Sequence, residues 1–144
     1  MRKPFRFEKL EVWHEARRLN QKLYQLSRLF PRDEIYGMTS QLRRASVSIS
    51  ANIAEGSGRN SDKDFAHFLE LSYGSLMETA SLVFLAFDER HISEDDLNLI
   101  LPEIERSAGR IAALNRSLKI KTSKTPFAPA EQREALDSRP STLD

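Results

Sequence analysis

The sequence contains no cysteine. That excludes disulfide scaffolds, thiolate metal sites and cysteine nucleophiles together, and it fits a reducing cytoplasm. Glycine and proline are scarce, five and six in 144 residues, so the few breaks in regular structure are informative. Long apolar runs are missing as well. The longest, Leu82 to Phe87, has six residues, far below the roughly 20 that span a bilayer. The basic start at Met1–Lys9 is not followed by the apolar core of a signal peptide. A soluble protein with no membrane partner is expected. A strong charge of one sign is also lacking: 22 basic and 21 acidic residues leave +1, which argues against a histone-like or polybasic chain.

What is present is helical pattern. With 40% hydrophobic and 30% charged residues, the chain has the balance of one globular domain rich in amphipathic helix. Leu10, Trp13, Ala16, Leu19, Leu23, Leu26 and Phe30 recur in steps of three and four, which predicts a helix over 7–30 that Pro31 stops. Met38, Leu42, Ala45, Ile49, Ile53 and Gly56 mark a second helix. It is expected to end at Gly56-Ser57-Gly58 with a glycine in the left-handed cap conformation. Ser61 with Asp64 signals the start of a third helix, whose stripe is Phe65, Leu69, Leu76, Val83 and Phe87, widened by Phe68, Leu82 and Leu85. Ser93 with Asp96 repeats the start signal for a fourth helix, with Leu97, Leu101, Ile104, Ala108, Ile111 and Leu118 as its stripe.

Pro102 interrupts that last helix. Because the stripe keeps its phase across the proline, one kinked helix is expected rather than two. Beyond Lys121 periodicity vanishes, and Pro126, Pro129 and Pro140 read as a disordered tail, with a transient helix at 130–136. The expected architecture is all-α: an up-down-up-down antiparallel four-helix bundle over 1–119, with a disordered C-terminal tail over 120–144. The small residues of helix two, Ala45, Ala51, Ala54, Ser46, Ser48 and Ser50, allow close approach on more than one side and make self-association an expectation.

Catalytic and metal signatures are incomplete. A di-iron bundle requires two Glu-x-x-His motifs, and the chain offers Glu11-x-x-His14 once and His67-x-x-Glu70 in reverse. Gly56-x-Gly58 follows a helix rather than a strand and lacks the Gly-Lys-Ser/Thr of a phosphate-binding loop. No Gly-x-Ser-x-Gly elbow is present, and His91 has no evident acidic partner in sequence. Neither an enzyme, a cofactor nor a metal centre is expected.

The charges are unevenly placed. Residues 1–59 hold 12 basic against 6 acidic residues, net +6, whereas residues 60–119 hold 6 against 11, net −5. Two physical readings follow. The basic first hairpin can attract a phosphate backbone, through Arg17, Arg18, Lys22, Arg43, Arg44 and Arg59. Alternatively, the opposite halves meet within or between subunits and guide assembly. Arg43 and Arg44 stand at the boundary of a core stripe, so one of them is also expected to face Glu55 or Glu78 as a structural ion pair.

The segment from Gly37 to Gly56, with Phe7–Trp13 before it and Gly74–Glu78 after it, closely resembles the bacterial four-helix-bundle family encoded in 23S rRNA intervening sequences. The resemblance covers about residues 5–119. It implies a small cytosolic bundle that assembles as a ring-like homopentamer. A related branch, the accessory variability proteins of diversity-generating retroelements, implies basic bundles that bind nucleic acid and a protein partner, a reverse transcriptase. Carried onto this chain, the motif positions are Gln41, Arg43, Arg44, Ser48, Asn52, Glu55, Gly56, Arg59, Gly74, Ser75 and Glu78. Relatives commonly carry proline where Ser50 stands, which puts a kink in helix two in question here. The leading expectation is a non-enzymatic oligomer that binds RNA or DNA through its basic hairpin. The rival is a protein-interaction scaffold.

Overall fold

A computed structural model describes residues 1–123. Four helices account for most of them: α1 (Glu11–Ser27), α2 (Met38–Ser57), α3 (Asp62–Asp88) and α4 (Glu94–Ser123), with single 3-10 turns at Arg6–Lys9 and Arg32–Glu34. Cross-helix contacts fix the directions. Lys22 meets Glu103, and Glu15 meets Arg110 further back along α1 and further on along α4. Ser46 bonds Asn20, and Arg43 bonds Ser27. Each pairing rises on one helix as it falls on the other, so the neighbours are antiparallel and the bundle runs up, down, up, down.

The apolar stripes meet inside. Leu23, Leu42, Ile49, Ile53, Phe65, Leu69, Leu76, Val83, Ile104 and Ile111 are essentially sealed from water. Burying a side chain of this kind stabilises by about 1.5–3 kcal/mol. Leu85 departs from its expected place and lies 47% exposed, because the α3 stripe is narrower on that side. Trp13 packs against the core at half burial, with Phe7 tilted against it at 4.8 Å.

Local chemistry explains the boundaries. The chain before α1 does not extend the helix back to Phe7. Glu8 reaches back to the Phe5 N–H and pairs with Arg2, which closes a separate 3-10 turn, and Leu10 stays extended. Ser61 caps α3 through the Asp64 N–H at 3.1 Å. At α4 the box is reciprocal: Ser93 accepts from Asp96 N–H, and the Asp96 carboxylate accepts from Ser93 N–H.

The α2 terminus differs from expectation. Gly58 has φ −86°, and no described glycine is left-handed. Gly56 instead serves close approach, since a Cβ there would lie 2.6 Å from the Phe68 Cβ. The left-handed cap falls at the end of α3, on Arg90 with φ 61°. There His91 N–H bonds Ala86 O and Arg90 N–H bonds Phe87 O, both at 2.9 Å, the paired bonds of a Schellman ending.

Helix α4 is continuous through Pro102 and reaches Ser123, past the expected boundary at 119. Residues 120–123, placed in the tail by sequence, are therefore helical. The rest of the expected tail, including the helix at 130–136, lies outside the described residues. Among the described residues, no helix is long and apolar enough to cross a membrane.

The α2–α3 seam combines apolar contact with the buried Ser72 hydroxyl and the half-buried hydroxyls of Ser48 and Ser75. Ser72 donates to Ile49 O at 2.8 Å, Ser75 donates to Ser48 Oγ at 2.9 Å, and Asn52 Nδ2 donates to the same Ser48 Oγ at 2.9 Å. Buried polar groups are tolerated when bonded in this way.

Candidate nucleic-acid interface

The six cations singled out by sequence do not share one surface. Arg18 binds Glu11 at 2.8 Å, and Lys22 binds Glu103 on α4. Lys22–Glu103 and Glu15–Arg110 lace the α1–α4 seam, one with the cation on α1 and the other with the cation on α4, while Arg18 is neutralised by Glu11 on its own helix. Arg59 is held by Glu55 at 3.0 Å and lies 4.6 Å over the Phe68 ring. Arg17 stacks 5.5 Å above Trp13. Exposed pairs of this kind contribute only about 0–1 kcal/mol to stability, yet they screen the cation from a phosphate.

Arg43 and Arg44 behave differently, and the expected ion pair with Glu55 or Glu78 is absent among the described residues. Glu55 is engaged by Arg59 instead. Half-buried Arg43 turns toward α1, where its Nε donates to Ser27 Oγ at 2.9 Å and its guanidinium lies 5.0 Å over the Tyr24 ring. One edge is thus tethered and one face covered, while the two terminal nitrogens meet no carboxylate. Arg44 is exposed on the outer side of α2 and has no carboxylate partner among the described residues.

Two arginines that sequence reasoning counted but did not select join them. Arg28 caps α1 beside Ser27, and Arg32 begins the 3-10 turn that follows. Both are exposed, and neither has a carboxylate partner among the described residues. The signal was their closeness to the α1–α2 break at Pro31, which brings them to the end of the bundle that Arg43 reaches. The acids nearby are Asp33 and Glu34. Glu34 is committed to the Met38 N–H at 2.9 Å, so it already fills the N-terminus of α2. A groove of about 580 Å³ runs from this end along α2, with Tyr24, Ile35, Arg43, Arg44 and Asn52 among its walls. Tyr36, next in the chain to the groove residue Ile35, stands almost wholly in water, 95% exposed.

The remaining motif positions, together with Arg44, gather mainly on the outer side of α2 and α3. Gln41, Arg44, Ser48, Asn52 and Glu55 follow steps of three and four along α2, and Gly74, Ser75 and Glu78 lie on α3 across the Ser48–Ser75 bond. Val47 and Leu71 add exposed apolar surface at 45% and 44%. Gly74 is informative. A Cβ there would meet nothing within 4 Å, so no contact inside the subunit requires glycine in mid-helix.

No metal-competent group of His, Cys, Asp and Glu occurs among the described residues. His14 Nε2 lies 2.6 Å from the Glu8 carbonyl oxygen, Glu11 is paired with Arg18, and His67 is exposed.

The fold and this surface define an all-α helical bundle with a basic, aromatic-lined end. Residues 8–113 match the family described as 23S rRNA-intervening sequence protein. The chain belongs to that family. No curated protein matches it.

Proposed function

We propose that the protein is a non-enzymatic, self-assembling bundle that binds RNA or other nucleic acid through the α1–α2 end. The observation that carries this reading is the state of Arg43. It is oriented by a hydroxyl and a ring rather than by a carboxylate, which leaves its forked terminal nitrogens for a phosphate. Arg28, Arg32 and Arg44 supply further unneutralised charge around it. A cytoplasmic setting belongs to the same reading, supported by the absence of cysteine.

Self-assembly uses the outer α2–α3 face, and a homopentameric ring is the assembly the family resemblance implies. The support here is Gly74 together with exposed Val47 and Leu71, a shallow surface on which a second helix can approach. That same face favours the second reading, a scaffold for a protein partner.

Reversing Arg28 and Arg32 to Glu, both at the α1–α2 turn and away from the outer α2–α3 face, separates the readings. Under nucleic-acid binding, light scattering shows the oligomer unchanged, while gel shifts with structured RNA at low salt disappear. Wild-type binding weakens steeply with added salt, because each neutralised phosphate adds to the counterion slope. Gel shifts that survive the same reversal, or dissociation of the oligomer by it, count against this end as the nucleic-acid contact and favour the scaffold. Failure of the wild type to bind any RNA or DNA at low salt refutes the nucleic-acid reading.

A further inference from the structure

Resting on the nucleic-acid reading above, we propose that the α1–α2 end selects unpaired, single-stranded nucleic acid, with a base stacked on Tyr36 and the adjoining phosphates held by Arg43 and its neighbours. Tyr36 is the most exposed aromatic residue of the described chain, 95% in water, with Ile35 half in water beside it. Among the described residues neither its ring nor its hydroxyl has a partner, so no contact they make accounts for an aromatic residue there. An aromatic face costs little rotamer freedom to engage and buries a large area when covered.

The surroundings match that of a stacking platform for a polyanion. Arg32 opens the 3-10 turn that ends two residues before Tyr36, and Arg43 lies five residues beyond Met38, roughly 7.5 Å further along α2 at about 1.5 Å per residue. The Tyr24 ring is already covered by Arg43, and that arrangement fixes the guanidinium plane rather than competing for a base. Glu34 is turned to the helix N-terminus and leaves Asp33 as the one free carboxylate in the turn.

The selectivity follows from what each ligand presents. A duplex offers phosphates and base edges, so it can engage the arginines but not the ring. An unpaired strand offers both phosphates and base faces. Stacking on an aromatic side chain contributes about 1–3 kcal/mol per base and tolerates any base.

The test measures fluorescence anisotropy of one labelled oligonucleotide at fixed low salt, as single-stranded RNA, as single-stranded DNA, and annealed to its complement. The full chain is compared with Tyr36→Ala and Tyr36→Phe. Tyr36→Ala is expected to weaken single-strand binding about 5- to 150-fold, the free-energy range of one stacked base at tenfold per 1.4 kcal/mol. Tyr36→Phe keeps the ring and restores it, and duplex binding is unchanged by either. At 95% exposure the substitution has no packing to lose, and helicity by circular dichroism verifies the fold. If Tyr36→Ala leaves single-strand binding intact, or if duplex and single strand bind equally, the inference is overturned while the nucleic-acid reading stands. If no form binds the wild type, both fall. Loss of oligomer mass on Tyr36→Ala assigns the ring to a subunit contact and also overturns it.

Discussion

Two helical glycines, Gly56 in the last turn of α2 and Gly74 in the middle of α3, invite opposite outcomes from the same substitution. At Gly56, a new Cβ would sit 2.6 Å from the Phe68 Cβ and 3.4 Å from the Phe65 carbonyl oxygen. The Phe68 Cβ is fixed to its backbone and has no rotamer to escape into, so α2 and α3 must move apart. Overpacking of this kind costs about 1–3 kcal/mol. Replacing glycine by alanine inside a helix returns roughly 0.5–1 kcal/mol. Gly56→Ala should therefore lose about 1–2 kcal/mol, a Tm drop of roughly 3–10 °C for a domain of this size. At Gly74 nothing lies within 4 Å, so only the helix term remains, and the subunit should gain about 0.5–1 kcal/mol. Urea unfolding followed by circular dichroism, at one protein concentration for all variants, measures both changes. Equal stability of the two variants would refute the close-approach argument. Light scattering on Gly74→Ala adds a second readout: if another subunit packs on that bare patch, the mass of the assembly falls even though the fold is firmer. An oligomer that tolerates Gly74→Ala without loss of mass removes the main support for that face.

Two further outcomes follow from local geometry. Arg90 occupies left-handed backbone at φ 61°, where an L-residue is strained by about 1–2 kcal/mol, so Arg90→Gly should stabilise by roughly 0.5–1 kcal/mol after glycine's entropy is set against it. A lower urea midpoint for Arg90→Gly would contradict the cap assignment. The Glu8 carboxyl is pulled down to about 2 from its ordinary 4.5, first by the Arg2 hydrogen bond and then by the Phe5 N–H. Its folded value lies below its unfolded value, so the anchoring of the N-terminal turn is full above about 4.5 and is lost as pH falls toward 2. A carboxyl NMR titration should show that depressed midpoint, and Arg2→Ala should move it up; a Glu8 midpoint near 4.5 in the wild type would exclude the pairing.

The helices were legible because burial imposes a period. The steps of three and four from Leu10 to Leu26 and from Met38 to Gly56 are the residues the core covers. Ser61 and Ser93 were legible because capping is local. What escaped depended on distant partners. The direction taken by Arg43 was set by Ser27 and Tyr24 on another helix, and nothing in the local run of residues distinguishes that from an acidic partner. The summed charge of the first hairpin is a property of the sequence, but which of its cations stay without an acidic partner depends on packing. Arg18 and Lys22 meet carboxylates on their own helix or on α4, whereas Arg28 and Arg32 at the turn do not. Gly56 and Gly74 look alike in sequence, and only the neighbouring helix distinguishes a filled site from an open one.

The hydroxyl seam between α2 and α3 also acts as a register lock. A hydrophobic stripe alone tolerates sliding, since one leucine can replace another after a shift of one turn. Ser72 on Ile49 O does not permit this: a slip of about 5.4 Å would take the buried Ser72 hydroxyl off its acceptor, and the same slip would break the Ser75–Ser48 bond. The two helices are therefore keyed to one translation, and the outer residues from Arg44 to Glu78 ride on them as one rigid plate. Whatever meets this plate therefore meets a fixed spacing of charges and bare patches.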